Sequence, residues 1–267
     1  MPDKKEIVLL IAAFGRQDAY IKTLESVAAS SDIIDVVVVD DCSISPIVID
    51  SRFESFVKII RADKNVGVER ASNIGLEYIF TQDYKYIACI DVGDFATNDR
   101  FTKEYNFFQS HPDHAIVGSW RRNVDLNGKV LSLLKHPKDD EQIRNLMHIN
   151  STFSNPSVMM RAELAKKVGF YNPSFPTAHD YDYHFRIMKF GKGANIEEFL
   201  LDYESGNPDS ISNSKRLMQV ISRLKIQLKY FEPCNFYSYW GVIRTLLIFA
   251  IPYKLICILK NKKSAKN

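Results

Sequence analysis

The sequence has no Cys-x-x-Cys pair, no internal repeat, no low-complexity tract and no Gly-x-Gly-x-x-Gly after its first apolar run. Each absence closes a class. The four cysteines, Cys42, Cys89, Cys234 and Cys257, are far apart, and Cys89 lies inside an apolar run, so neither a zinc site nor a disulfide framework is indicated. Without the glycine fingerprint, a dinucleotide-binding dehydrogenase is a poor reading. The apolar residues 7–13 follow Lys4 and Lys5 but are too few for a signal peptide, which predicts a first strand in a cytoplasmic protein. Between Trp240 and Leu259 the apolar run is broken by Arg244, Pro252 and Lys254, which argues against a clean transmembrane helix.

What is present is ordinary globular composition, 46% hydrophobic and 25% charged over 267 residues, enough for one large domain with an appendage or for two small domains. The net charge of +3 is unevenly spread. Residues 213–267 carry eleven Lys or Arg against one acid, Glu232, a balance of +10 that leaves −7 for residues 1–212. A weakly acidic body with a basic, greasy tail points to an anionic lipid surface, with no support for nucleic acid. Turn chemistry at Gly206, Asn207 and Pro208 marks a boundary between a domain over 1–212 and a helical segment over 213–267. Within the latter, 215–231 reads as a basic amphipathic helix. With Tyr237, Tyr239, Trp240 and Tyr253 around it, 236–259 reads as a segment lying in the membrane interface. The protein is then peripheral on the inner face of the plasma membrane; a helix packed on the domain with a soluble basic end is the alternative.

Apolar strands over 7–13, 35–39 and 57–61 alternate with a helix over 18–30, and a second helix within 65–80 feeds the run Ile87-Ala88-Cys89-Ile90. Such alternation predicts an α/β fold, a Rossmann-like, mostly parallel sheet flanked by helices. Beyond a helix over 101–110 the parallel pattern ends: strands over 115–120, 157–160 and 196–203, a hairpin at Asn127-Gly128, and helices over 139–147, 161–168 and 179–189. The run at 87–90 stops at Asp91-Val92-Gly93-Asp94. Ligands bind open α/β sheets at the carboxyl ends of strands, so Asp91 and Asp94 are candidates to hold a divalent cation against phosphate oxygens, an acidic turn being the alternative.

Four segments together resemble the inverting glycosyltransferases of family 2, with the GT-A fold, over about residues 6–212. They are Ile7 to Arg16, which resembles the first strand and nucleotide loop; Val-Val-Val-Val-Asp40-Asp41-Cys-Ser43; Asn65-Val-Gly-Val-Glu-Arg-Ala-Ser-Asn73-Ile-Gly75; and Thr177-Ala-His-Asp-Tyr-Asp-Tyr-His-Phe-Arg186. The resemblance implies transfer of a sugar from a nucleotide-diphosphate sugar, UDP-hexose above all, to a saccharide acceptor, lipid-diphosphate-linked, in surface polysaccharide synthesis such as O-antigen or capsule. It implies Asp180 as general base, Ala12, Phe14, Arg16, Asp41, Arg70 and Asp91 around the nucleotide sugar, with Asp40 the runner-up to Asp41, and His179 and Tyr181 near the acceptor. It also implies Mn²⁺ or Mg²⁺ at Asp91 and Asp94. There the chain departs from the family, whose usual Asp-x-Asp-Asp has Gly93 at the position that most often ligates the metal. A catalytically impaired protein that binds a nucleotide sugar or glycan is the alternative this glycine raises.

Overall fold

A computed structural model describes residues 5–97, 99–205 and 216–250. Strands β1 (Ile7–Ala13), β2 (Ile34–Asp40), β3 (Val57–Arg61) and β4 (Tyr86–Cys89) are parallel, and helices α1 (Gln17–Val27) and α2 (Val68–Ile79) make crossovers between them. Their side chains alternate between two cores. Ile7, Leu9 and Ile11 meet Tyr20 and Leu24 of α1 on one face, while Val8 and Leu10 meet Ala71, Leu76 and Ile79 of α2 on the other. Burial on both faces is why these strands read as near-continuous apolar runs.

The second half is less regular, as the sequence predicts, but parallel pairing returns in it. Helix α3 (Arg100–Ser110) follows a two-residue strand β5 (Phe95–Ala96); then come β6 (His114–Val124), β7 (Val130–Leu134), α4 (Asp140–Met147), β8 (Met159–Arg161), α5 (Ala162–Val168), α6 (His179–Ile187) and β9 (Lys192–Glu204). The sheet order is β3-β2-β1-β4-β8-β6-β9-β5, with β7 hairpinned on β6. Strand β8 runs antiparallel to both β4 and β6, whereas β6 and β9 pair in parallel. The expected hairpin forms, with Asp125 accepting from the backbone N–H groups of Asn127 and Lys129.

Helices α7 (Arg216–Lys229) and α8 (Phe236–Ala250) pack on the α4–α6 side. At the base of this junction the fully buried Asp182 of α6 accepts from Arg186 Nε at 2.8 Å, Lys229 Nζ at 2.6 Å and the Tyr230 hydroxyl at 2.9 Å. A carboxylate withdrawn from water needs such partners, and here one comes from α6 itself and two from the end of α7 and the residue after it. Gln227 Nε2 donates to the Ile149 carbonyl, and Ser238 Oγ lies 3.0 Å from His148 Nδ1. Helix α8 is inverted in character: small or polar Ser238, Gly241 and Thr245 face the body, while Phe236, Tyr239, Trp240, Ile243 and Leu247 face outward, each at least 44% exposed. The expected boundary between 212 and 213 and the basic end beyond residue 250 lie outside the described residues.

A Cβ at Gly241 would stand 1.9 Å from the His148 carbonyl oxygen, so glycine sets how closely α8 approaches. Gly241→Val should undock α8 and cost about 1–3 kcal/mol, the usual scale of overpacking, in denaturant unfolding. An unchanged midpoint would mean that α8 contributes nothing to the fold.

Candidate functional site

The ends of β1, β2 and β4, the start of α6, and strands β6 and β9 converge on one cleft. Asp91 lies one residue past the apolar run that includes β4. Its residue surface is open to solvent, while protein atoms crowd around its carboxyl. Withdrawal from bulk water pushes its carboxyl above the ordinary value; the like charge of Asp180 adds to this, and His179 and Arg121 oppose it. Asp94 is 2% exposed. Its Oδ1 accepts from the Glu204 backbone N–H at 2.8 Å, while Oδ2 is buried without a hydrogen-bond partner. Burial first, and then Asp91, hold the Asp94 carboxyl well above its usual range.

Asp180 stands at the second position of α6, half-buried, and its carboxylate makes no hydrogen bond or ion pair among the described residues. Its field reaches Asp91 and Arg121, so it faces the same cleft. His179 beside it is half-buried with Nδ1 unpartnered, its ring edge-on to Tyr171 at 5.1 Å. Tyr181 turns the other way. It is 3% exposed, packs against Phe175, Ala178 and Ile226, and donates its hydroxyl to the Met147 carbonyl. The 100° step of a helix separates it from Asp180, so Tyr181, expected near the acceptor, lies beneath the surface with its hydroxyl already bonded.

Just past β2, Asp41 is 4% exposed, and its carboxylate accepts from the backbone N–H groups of Val66 at 2.7 Å and Gly67 at 2.9 Å. Asp40, fully buried, is consumed internally by Ser43, Ile47 and Arg61. Burial alone would raise its carboxyl; those bonds outweigh it and leave it lowered. Ala12 lies half-buried at the end of β1, Phe14 is 53% exposed, and Arg70 is exposed on the first turn of α2 without a partner among the described residues.

Arg16 adopts the left-handed conformation, φ 55° and ψ 46°, rare for a side chain larger than glycine. Its Nη2 donates to both carboxylate oxygens of Glu204, at 2.6 and 2.8 Å, and its Nη1 to the Val92 carbonyl at 3.1 Å. This pair bridges over Gly93, whose φ is +101°, and a Cβ there would stand 2.9 Å from Arg16 Nη1 and 3.0 Å from Glu204 Oε2. A carboxylate side chain at position 93 would displace the Arg16–Glu204 pair.

Sequence reasoning missed Arg121. It projects from β6 over the Tyr203 ring at 3.9 Å, its Nε is buried without a partner, and it faces Asp94, Asp91 and Asp180. Enclosure pulls its guanidinium below the ordinary value, and Tyr203 and the three carboxylates oppose this without cancelling it. Strand alternation offers the one available signal: Arg121 and Arg122 point to opposite faces, and Arg122 is spent on Asp202.

Among the described residues no three His, Cys, Asp or Glu side chains gather into a metal cage. Asp91 and the unpartnered oxygen of Asp94 are nevertheless hard donors of the type Mg²⁺ and Mn²⁺ take, one or two carboxylates completed by water and substrate phosphate. Asp94→Asn keeps the Oδ1 acceptor and removes a buried charge beside Asp91. Its thermal midpoint should exceed wild type at neutral pH, with the gap closing on acidification. From 3.8 upward to the raised folded value, folded wild type binds more protons than the unfolded chain, so its stability falls as pH rises through that window. A gap independent of pH would contradict this in paired melting curves.

The pattern of Glycosyl transferase family 2 matches residues 8–169. An uncharacterized glycosyltransferase of Methanocaldococcus jannaschii is 24% identical, over 98% of this chain and 96% of its own. The amylovoran biosynthesis glycosyltransferase AmsE of Erwinia amylovora is 27% identical, over 72% of this chain and 69% of its own. Among solved structures, S. aureus TarS residues 1–349, also determined with UDP-GlcNAc, superposes with a TM-score of 0.63 in the first structure and 0.62 with the sugar nucleotide. In both it covers 90% of this chain, and 70% and 71% of its own, at 14% identity. The mannosyltransferase PcManGT from Pyrobaculum calidifontis, in complex with GDP-Man and Mn²⁺, gives 0.63 over 99% of this chain and 81% of its own at 12% identity. The sheet is that of the GT-A fold, and with the family pattern over 8–169 this chain belongs to glycosyl transferase family 2 and is a glycosyltransferase.

Proposed function

We propose that this chain moves a hexosyl group, with inversion, from a UDP-linked donor to a hydroxyl of a saccharide carried on a lipid diphosphate, in surface polysaccharide synthesis. The carrying observation is Asp180, an unpartnered carboxylate facing Asp91 and Arg121. The AmsE relative, named for amylovoran biosynthesis, supports the polysaccharide setting, and the UDP-GlcNAc complex of TarS supports the donor class. Asp180 takes the acceptor proton as its oxygen attacks the anomeric carbon; the bond to the diphosphate oxygen breaks on the opposite face, and the nucleoside diphosphate leaves with that oxygen. Arg121, its Nε free and its surroundings partly dry, receives the developing negative charge. Asp41 holds the base: each carboxylate oxygen has two acceptor sites, so an imide N–H can join the two backbone donors already there. Phe14, Ala12, Arg16 and Arg70 border the donor, and His179 borders the acceptor.

Asp91, with Asp94 behind it, would hold Mg²⁺ or Mn²⁺, which when bound screens the diphosphate charge as a Lewis acid. Gly93 favours the second reading, a binding protein without catalysis. One pair of variants separates them. Asp180→Asn should lower kcat by about 10²–10⁴-fold with donor affinity retained, and Arg121→Gln by about a hundredfold, in a donor screen with UDP-, GDP- and dTDP-sugars. Donor binding without turnover in wild type would favour the binding protein, and full turnover in Asp180→Asn would move the base elsewhere.

The outward face of α8 supports attachment to a lipid surface: Phe236, Tyr239, Trp240, Ile243 and Leu247 form one stripe at helical spacing. No described helix is long and apolar enough to cross a membrane. Ile243→Glu with Leu247→Glu should reduce co-flotation with anionic vesicles at least about tenfold while leaving the fold intact; undiminished flotation would remove α8 from the attachment surface.

A further inference from the structure

At the end of β9 the protein holds an anion of its own over the acidic loop. Glu204 receives both of its bonds from a single nitrogen, Arg16 Nη2, while Nη1 is engaged by the Val92 carbonyl. The side chain of Glu204 is 11% exposed and that of Arg16 36%. Val92 and Gly93 are the two residues between Asp91 and Asp94, and a Cβ on Gly93 would touch both members of the pair. The backbone N–H of Glu204 in turn holds Asp94 Oδ1 at 2.8 Å. A diphosphate brought to a cation at Asp91 and Asp94 therefore arrives beside the Arg16 guanidinium.

A guanidinium grips an oxyanion through two parallel N–H bonds, along the edge of Nε and Nη2 or along that of Nη1 and Nη2. Nη2 belongs to both edges, and Glu204 occupies it with both oxygens. While the pair stands, neither edge is open to phosphate. Arg16 also keeps a left-handed backbone, which a residue other than glycine adopts only where its surroundings impose it and which points to function when it is observed.

We propose that Glu204 is a resident competitor for the donor's diphosphate, and that Arg16 leaves Glu204 for the diphosphate when the donor binds. Glu204 is then a specificity-determining residue. This rests on the transferase reading above. A diphosphate carries more charge than a carboxylate, over more acceptor oxygens, and so takes the guanidinium; a ligand without phosphate leaves the pair closed. Arg16 is partly exposed, so water screens the pair and the exchange costs little. Gly93 has no side chain to obstruct it.

The test titrates the full chain calorimetrically, with Mg²⁺ present, against UDP, GDP, their nucleosides and inorganic pyrophosphate. Wild type is compared with Glu204→Gln, Arg16→Asn and the double variant. Glutamine preserves the length of the side chain and the backbone N–H on Asp94, and asparagine tolerates the left-handed conformation. Glu204→Gln should bind the preferred nucleoside diphosphate and pyrophosphate about fivefold more tightly, with the nucleoside unchanged. Arg16→Asn should weaken the diphosphate about tenfold, and in that background Glu204→Gln should add nothing. A merely structural role for Glu204 gives no gain in affinity, so the Glu204→Gln comparison stands alone if Arg16→Asn does not fold. Unchanged or weaker diphosphate binding in Glu204→Gln overturns the proposal, as does a gain that persists without Arg16 or extends equally to the nucleoside. Sugar transfer with diphosphate affinity indifferent to Glu204 overturns it while leaving the transferase reading intact. Tighter pyrophosphate binding in Glu204→Gln, with no nucleotide bound by any variant, supports the exchange and removes that reading.

Discussion

Arg100 is fully buried, and the cleft depends on what it holds. Its guanidinium donates to the carbonyls of Cys89 at 3.0 Å and Pro156 at 2.7 Å, weakly to Val158 at 3.3 Å, and pairs with the equally buried Glu104 at 2.9 Å. One side chain thus fixes the end of β4, the turn before β8 and the first turn of α3. Asp91 and Asp94 follow Cys89 by two and five residues, so their position is inherited from that clasp. Burial pushes Glu104 up to about 7 against the pull of Arg100, and its Oε2 has no partner. An ion pair so dry contributes little net stability, because desolvation consumes most of the attraction. What it contributes is geometry.

Much of this was legible in the sequence, and the physical reason is periodicity. Strands buried on two faces and amphipathic helices announce themselves, so β1 to β4 and α2 to α6 lie within a few residues of expectation, and Asp40-Asp41 and Asp91 fall at strand ends. Return of parallel pairing between β6 and β9 was not legible, because partner choice is set by which faces remain uncovered rather than by local pattern. The two-residue β5 is too short to carry a period.

Side-chain direction was the other limit. Asp180, Tyr181 and Asp182 are consecutive, and one faces the cleft while two are buried; spacing fixes the angles between them but not the origin. The origin is set by α7, which claims Asp182, and by Met147, which claims Tyr181. Arg121 and Arg122 pose the same problem on a strand. Gly93 reads as a missing carboxylate in one dimension; in three it is the space that lets Arg16 reach Glu204.

The partners of Asp182 also have an order of arrival. Arg186 is four residues away and is made almost at once, but Lys229 and Tyr230 come 47 and 48 residues later. A nascent chain that has already delivered β1 to β9 still has, in the first turn of α6, a carboxylate with one counter-charge where three donors belong. The partners of Asp182 are therefore complete only once α7 and the residue after it have been made, and the start of α6 takes its final shape after the whole sheet has been delivered.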